Sequence, residues 1–329
     1  MVKSILLDIK DKKILYELDL NSRQGLACLA KRVGLSQETV RYRVNRLVKE
    51  KVIWKYLTVL NLSSLGYNLH KVLIKLQNIT NEKRKEIIDY LVNEKDVAWV
   101  GSIDGEFDLG FLVMVKNIFT LGEVLSNFYN KYSQFILKKA ICANLSGEYY
   151  ERDYLINKPR PAGKEWPTYS VKAPLLKSID EYDLKILALL AHNARASAVE
   201  IAEEAGISAD SVARRIRQME KDKVIVSYQL LLHNEKIKQM RYKVLLYTHS
   251  MTCEKENSIF AFCRLHPRII SAIKTLGPWD LEVDIEAEDV EQFRLIMMEL
   301  SNKFADVLRD YSALIIYDTH KYNLMPPVF

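Results

Sequence analysis

The chain has 329 residues, of which 49% are apolar and 27% are charged, so it is an ordinary globular protein with room for two to four domains. It contains no apolar run near the roughly 18 residues of a membrane span and no apolar core of a signal peptide, so we expect a cytoplasmic protein without membrane contact. The four cysteines lack C-x-x-C spacing, and the histidines and carboxylates lack metal-ligand or triad spacing, so we predict no metal, cofactor or catalytic site.

Positive charge is concentrated at the start of the chain. The net charge is +6, but residues 1–61 hold 13 Lys or Arg against 6 Asp or Glu, whereas residues 173–233 hold 8 against 9. A basic block on a small domain is the usual electrostatic feature of nucleic-acid binding. The alternative for this block is an ordinary solvated surface.

Three short helices are predicted first, over residues 10–20, 26–33 and 37–50. Gly34 suits the left-handed residue that ends a helix, and Ser36 suits the N-cap of the next one. In the third helix an apolar stripe at i, i+4 and i+7 must face a core: Val40, Val44 and Leu47. Helix, glycine turn and capped helix are typical of a helix-turn-helix.

The next segment begins with an apolar run at 52–60, which predicts either a small wing or a connecting strand. Strands and helices then follow in the order β-α-β-β-α-β, at residues 72–76, 82–93, 97–103, 109–115, 121–132 and 136–145. That order is the split unit of ferredoxin-like domains.

The whole pattern is present twice, at a constant offset of 172 residues. Residues 8–61 realign on 180–233 without a gap and with 19 identities in 54 positions, and the turn GEFDL at 105–109 realigns on GPWDL. We therefore predict helix-turn-helix domains at 1–61 and 175–233, ferredoxin-like domains at 62–156 and 234–329, and an extended proline-rich linker at 157–174.

These motifs resemble the Lrp/AsnC, or feast/famine, family of transcription regulators in a tandem duplicated form. The resemblance is carried by the Gly-x-aromatic-Asp-Leu turns and by matched helix-turn-helix positions, among them Asp8/Asp180, Asp11/Asp183, Arg23/Arg195, Gly34/Gly206, Ser36/Ser208 and Arg43/Arg215. It implies an α+β fold with two winged helix-turn-helix domains and two ferredoxin-like βαββαβ domains of the RAM/AsnC type in tandem.

The resemblance also implies a sequence-specific DNA-binding regulator of transcription that responds to a small metabolite such as an amino acid. Because family members pair their RAM domains, we expect the halves to form an internal pseudo-dimer and the chain to form homo-oligomers. The effector of the family lies near the turn, so the candidate effector residues are Gly105, Asp108, Gly277 and Asp280. A tight turn alone also explains the glycines, and each aspartate could cap that turn.

Double-stranded DNA is the expected partner of the first recognition helix. We place four side chains near base edges: Gln37, Thr39, Arg41 and Tyr42. Four cations would contact phosphates or position the helix: Arg32, Arg43, Arg46 and Lys49. The N-cap Ser36 is a further candidate DNA-binding residue. Arg43, which is identical in both copies, could instead brace the domain.

The second helix-turn-helix is the weaker candidate, because Glu203 and Glu204 replace two cations of the first and carboxylates near phosphates reduce affinity. Its candidate DNA contacts are Ser208, Ser211, Arg214, Arg215 and Arg217. The alternative is a weakened recognition helix or an interaction surface.

The third strands of the ferredoxin-like units differ. One face of this strand is apolar in the first copy, with Gly110, Leu112 and Met114, but acidic in the second, with Glu282, Asp284, Glu286 and Glu288. Burial of an acidic face against an apolar sheet is costly, so we expect it to be solvated or to meet basic groups such as Lys71 and Lys75. The pairing of the halves should therefore be asymmetric.

Two other functions remain open from the sequence. Siroheme decarboxylases have a similar architecture, sometimes in tandem, so an enzyme of that kind is one alternative. An oligomeric adaptor that does not bind DNA is the other. The intact turns and the basic first recognition helix favour a regulator without enzymatic activity.

Overall fold

The computed structural model describes residues 5–161, 163–171 and 179–327. The predicted boundary at 174/175 lies outside the described residues. Within the described ranges, no helix is long and apolar enough to cross a membrane.

Each half of the chain contains three helices, then a strand, then the order β-α-β-β-α-β. The first half comprises α1 Ile9–Leu20, α2 Leu26–Val33, α3 Gln37–Lys49, β1 Ile53–Leu60, β2 Asn68–Leu76, α4 Asn81–Asn93, β3 Val97–Asp104, β4 Leu109–Val115, α5 Ile118–Tyr132 and β5 Ile136–Tyr149. A short strand follows, β6 Thr168–Ser170. The second half comprises α6 Glu181–His192, α7 Ala198–Ala205, α8 Ala209–Lys221, β7 Ile225–Leu232, β8 Met240–Thr248, α9 Cys253–Leu265, β9 Ile269–Leu276, β10 Leu281–Ala287, α10 Val290–Lys303 and β11 Leu308–Tyr322.

The α+β fold class is confirmed, but the strand after each helix-turn-helix is not a wing. β1 pairs with β7 of the other half, so the halves share a two-stranded antiparallel ribbon. Arg23 donates to the carbonyls of Ala194 and Ala196, at 2.7 and 2.6 Å. Arg195 donates in return to the carbonyl of Ser22 at 2.6 Å. The ribbon and this reciprocal exchange join the two helix-turn-helix units.

The strands of the two ferredoxin-like units form one closed ring. The order is β2-β4-β3-β11-β8-β10-β9-β5, and β5 also pairs with β2, which closes an eight-stranded barrel. Each half supplies four consecutive strands, and the halves meet at two antiparallel seams, β3 with β11 and β5 with β9. Closure leaves no free strand edge in the ring, which removes a site of aggregation.

Helices cover the outside of the barrel. In the first half α4 and α5 pack on the strands through a core that includes Leu91, Phe111 and Phe128. In the second half α9 and α10 do the same through residues such as Phe262 and Leu300. The helices predicted at 82–93 and 121–132 are thus present as α4 and α5, and each buries an apolar face against the strands.

The acidic face of β10 points into the protein and is buried. Lys71 from the first half contacts Glu282, and Lys243 donates to both Glu282 and Asp284, at 3.1 and 2.6 Å. Arg241 donates to Asp284 at 2.8 Å. The expected contact with Lys71 is therefore present.

The corresponding expectation for Lys75 was wrong, because this side chain donates to Asp108 of its own half at 2.8 Å. Glu288 lies beyond the strand and pairs at the surface with Arg268, at 2.8 Å. The apolar face of β4 is fully buried. The barrel is thus asymmetric, as the sequence predicted.

The last acidic residue of β10 is joined to the first helix-turn-helix. Arg152 binds Glu286 through two nitrogens, at 2.8 and 3.0 Å, and donates to Asp19 of α1 at 2.6 Å. All three side chains are at least nine-tenths buried. Burial by itself would raise the pKa of Glu286, but Arg152 and hydrogen bonds outweigh it and hold that pKa below 4.5.

The described part of the linker is not the extended tether that was predicted. β6 adds to the barrel by pairing with β5. Arg160 is buried and donates to Asp153 at 2.7 Å and to the carbonyl of Ile269 at 2.8 Å. The prolines of the segment suggested an extended chain, whereas the buried arginine anchors it to the second half.

We expect Arg152→Met to lower the free energy of unfolding by about 3–5 kcal/mol, because it leaves Asp19 and Glu286 as buried charges without their cation. Urea denaturation measures this change. Lys255→Met is the matched control, since its pair with Asp306 is 34% and 67% exposed and should contribute less than about 1 kcal/mol. Equal losses in both variants would contradict the account.

The same ion pair predicts a pH dependence. A carboxyl whose pKa is lowered by folding adds stability above its unfolded pKa, here 4.5, and that stability is lost as the pH falls through the folded value. Protonation of Glu286 should therefore lower the free energy of unfolding below about pH 4.5, and this drop should be shallower in Glu286→Gln. Asp19, whose pKa burial raises to about 6, acts in the opposite sense in both proteins. If the free energy of unfolding fell just as steeply with decreasing pH in Glu286→Gln, the ion pair would not contribute to stability.

Candidate nucleic-acid interface and effector turns

The first recognition helix, α3, is held by its apolar stripe and by its cap. Val40, Val44 and Leu47 are buried as predicted. Gly34 is left-handed with φ 70°, and the Ser36 hydroxyl accepts the backbone N–H of Thr39 at 3.1 Å. These contacts fix the helix so that its opposite face points to solvent. The side chains exposed on that face include Gln37, Arg41, Tyr42, Asn45 and Lys49.

Two other cations of α3 are engaged inside the domain. Arg43 donates to Asp8 and Asp11 at 2.7 and 2.8 Å, and Arg46 donates to Asp11 at 2.5 Å. Asp8 and Asp11 also form the capping box of α1. The guanidinium groups therefore connect α3 to the start of α1, which agrees with the bracing alternative for Arg43.

The remaining predicted positions of the first unit lie at the edge of this face. Arg32 is half exposed and donates to Glu17 at 2.9 Å. The hydroxyls of Ser36 and Thr39 hydrogen-bond each other at 2.8 Å, so both serve the N-terminus of α3. That N-terminus also carries the positive end of the helix dipole, which favours a phosphate.

The second recognition helix, α8, is held by the same kind of N-cap and arginine contacts as α3, but its exposed side chains differ. The Ser208 hydroxyl accepts the N–H of Ser211 at 3.2 Å, and Arg215 donates to Asp180 and Asp183, both at 2.8 Å. Arg214 and Arg217 are exposed. The positions equivalent to Gln37 and Arg41, however, are Ala209 and Ala213.

The surroundings of the two helices also differ in charge. Lys31 and Arg32 are exposed on α2, whereas Glu203 and Glu204 are exposed at the same places on α7. Phosphate contacts supply most non-specific DNA affinity, and carboxylates at such positions repel phosphates. The first unit therefore has the more favourable surface for DNA.

Both candidate effector turns lie at the seams between the halves. Gly105 has φ 128°, and a Cβ there would lie 3.0 Å from the carbonyl oxygen of Ala313 on β11. Asp108 accepts from Lys75 at 2.8 Å and from the backbone N–H of Leu76 at 2.7 Å. The first turn thus needs its glycine for close approach to the other half and its aspartate to fix the turn.

The second turn repeats this arrangement. A Cβ on Gly277 would lie 2.7 Å from the Cβ of Cys142 on β5. Asp280 accepts from the N–H and the hydroxyl of Thr248, at 2.7 and 2.8 Å. Trp279 is buried and donates to Glu282 at 3.1 Å. All four predicted effector residues therefore have structural contacts in this chain.

Three arginines that join the halves were not predicted from the sequence: Arg23, Arg195 and Arg152. Arg23 and Arg195 are identical at matched positions, and that identity was the available signal for their reciprocal contact. Arg152 follows the last strand of the first ferredoxin-like unit, where no motif marks it. Its role depends on contacts with residues 133 and 134 positions away.

Comparison with known proteins identifies the helix-turn-helix units. A family model of the AsnC-type helix-turn-helix domain matches residues 7–48 and 179–220. An uncharacterised HTH-type transcriptional regulator of Pyrococcus furiosus is 31% identical over 121 residues, which is 36% of this chain and 81% of that protein. The glutamate uptake regulatory protein of Zymomonas mobilis is 25% identical over 155 residues, covering 47% of this chain and 93% of that protein.

Among solved structures, the siroheme decarboxylase NirDL has the same overall fold, with a TM-score of 0.59 over 97% of this chain and 94% of that one. Its sequence identity is 12%, so this likeness concerns the fold alone. The family is shown by the sequence relatives and by the repeated domain. The chain belongs to the Lrp/AsnC family of helix-turn-helix transcriptional regulators, with the AsnC-type helix-turn-helix domain present twice in one polypeptide.

Proposed function

We propose that the chain is a sequence-specific DNA-binding transcription regulator in which one polypeptide supplies both halves of a pseudo-dimer. The observation that carries this proposal is the exposed polar face of α3, which a buried apolar stripe and a serine cap hold outward. The shared ribbon β1–β7 presents α3 together with α8. The proposal includes the cytoplasmic location that we expect from the sequence.

The two recognition helices contribute unequally to this function. Gln37, Arg41 and Tyr42 are free to meet base edges, where Arg and Gln form bidentate hydrogen bonds with guanine and adenine. Lys49 and the N-terminus of α3 bind phosphates. On α8, Arg214 and Arg217 supply mainly phosphate contacts, because alanines replace the two side chains best suited to reading bases.

A small metabolite, with an amino acid as the leading class, would act at the seams that contain the two turns. Each turn contacts a strand of the other half, so a ligand there would change how the halves pair. Glu106 next to Gly105 also accepts from Ser312 of β11 at 2.9 Å. Association of whole chains into homo-oligomers belongs to the same proposal.

An enzyme is the second candidate, because the whole tandem chain resembles a siroheme decarboxylase in fold. Incubation with an iron uroporphyrin separates the candidates. Absorbance changes that depend on the tetrapyrrole, without salt-sensitive DNA binding, would favour the enzyme. If the protein shows neither the tetrapyrrole-dependent absorbance change nor salt-sensitive DNA binding, an oligomeric adaptor is favoured.

We expect Arg43→Ala to lower the stability of the protein and Arg41→Ala to leave it unchanged. Arg43→Ala should lower the free energy of unfolding by about 1–3 kcal/mol, because Asp11 is buried and loses a charged donor. Arg41→Ala should leave stability within about 0.5 kcal/mol, since the side chain is exposed. Urea denaturation gives both values. A destabilised Arg41→Ala would contradict the assignment of that residue to DNA.

DNA binding, in contrast to stability, should depend strongly on Arg41. On DNA enriched from a random pool by the full chain, Arg41→Ala should weaken binding roughly 5- to 150-fold, the value of one bidentate base contact. Arg214→Ala, a change at an exposed arginine of α8, should weaken binding less than about 5-fold and uniformly across sequences. Lys49→Ala should reduce the salt slope by about one. Fluorescence anisotropy at two salt concentrations measures these effects, and a larger loss for Arg214→Ala would reverse the proposed order.

A further inference from the structure

The loops between the first and second helices of the two helix-turn-helix units contact each other. Arg23 and Arg195 are presented in the same way, because the backbone N–H of each donates to the side-chain oxygen of an asparagine two residues earlier, at 2.9 and 3.0 Å. Each guanidinium then donates to two carbonyls of the opposite loop. Hydrogen bonds from a charged donor are stronger than neutral ones, so the two loops are firmly held together.

Each loop also contacts the ribbon strand of the other half. One backbone N–H of each loop donates to a tyrosine carbonyl on that strand, at 3.0 and 3.2 Å. The guanidinium of Arg23 lies 5.8 Å from the centre of the Tyr228 ring on β7, and that of Arg195 lies 5.3 Å from the Tyr56 ring on β1. The two sides of this contact are therefore equivalent as far as the tyrosine rings.

Beyond the rings the two sides differ. Tyr228 is buried, and its hydroxyl donates to Glu220 of α8 at 2.8 Å. The position that corresponds to Glu220 on α3 is Val48, whose side chain has no hydrogen-bonding group. A series of direct contacts therefore runs from Arg23 of the first unit to α8, whereas α3 lacks the acceptor at the matching position.

This difference agrees with the surfaces of the two helices. α3 carries Gln37 and Arg41, which can align it on DNA through base edges, whereas α8 has alanines at both positions. Phosphate contacts carry no sequence information, so Arg214 and Arg217 cannot select a site for α8. The site that α8 occupies is then determined by the unit to which it is joined.

We infer that the contact Arg23–Tyr228–Glu220 positions the second recognition helix. It holds α8 at a fixed place relative to α3, so that Arg214 and Arg217 meet phosphates beside the site that α3 selects. A helix that is held in advance loses less freedom on binding, and its contacts therefore add more affinity. The inference rests on the proposed DNA-binding function, and the three residues act through α8 rather than by touching DNA.

The distance between the recognition helices tests this positioning without DNA. Spin labels on Asn45→Cys of α3 and Arg217→Cys of α8 occupy matched exposed positions, in a full chain whose exposed cysteines on α2 and α9 are replaced by serine. Pulsed electron–electron double resonance gives the distribution of distances between the labels. Tyr228→Phe should broaden that distribution. Tyr56→Phe, the matched change in the other half, should leave it as narrow as in the chain with both tyrosines.

DNA binding by the unlabelled chain gives the second readout. On the enriched DNA, the double change Arg214→Ala and Arg217→Ala should weaken binding roughly 10-fold, because it removes two phosphate contacts. In Tyr228→Phe the same double change should weaken binding only about 2-fold, since α8 is no longer held in place. In Tyr56→Phe it should again cost roughly 10-fold. Arg41→Ala should keep its full effect in both phenylalanine variants, which shows that α3 is still folded and placed.

A distance distribution of equal width in all three chains would overturn the inference, whether or not the protein binds DNA. The inference would also be wrong if the double arginine change weakened binding as much in Tyr228→Phe as in the unaltered chain. If the unaltered chain showed no salt-sensitive DNA binding, the proposed function would fail, and the distance measurement alone would decide whether Tyr228 positions α8.

Discussion

The buried acidic face of β10 is the constraint on which the pairing of the two halves depends. Three carboxylates inside a protein require cations, and part of that requirement is met from the first half, by Lys71 and Arg152. Separation of the halves would leave Glu286 without Arg152 and would remove Lys71 from Glu282. The barrel is therefore closed by two strand seams and by ion pairs that fit only one arrangement.

This arrangement determines how the recognition helices are presented. The ribbon β1–β7 and the contacts of Arg23 and Arg195 join the two helix-turn-helix units, and the bond from Arg152 to Asp19 ties the first unit to the barrel. Duplication within one chain allows the copies to diverge without losing their partner. The divergence is visible where Arg41 in the first copy corresponds to alanine in the second.

The helices, the strand order and the apolar stripes were predictable because they depend on local periodicity and on capping residues such as Ser36. The sequence also predicted that the halves pair asymmetrically, since burial of Asp284 against an apolar surface is costly. The partners of that face were only partly predictable: Lys71 was expected, whereas no motif marks Arg152 or Arg241 as a partner. The pairing of β1 with β7 was not predicted, because a strand that connects two domains has the same sequence pattern as a strand of a wing.

The central claim is that one chain binds DNA as an unequal pair of helix-turn-helix units. Hydroxyl-radical footprinting of a single bound chain tests it most directly, on DNA of the preferred sequence. The account predicts two protected patches about one helical turn apart, roughly 10 base pairs, with one patch much more strongly protected than the other. Two equally protected patches, or a second patch that appears only when a second chain binds, would contradict it.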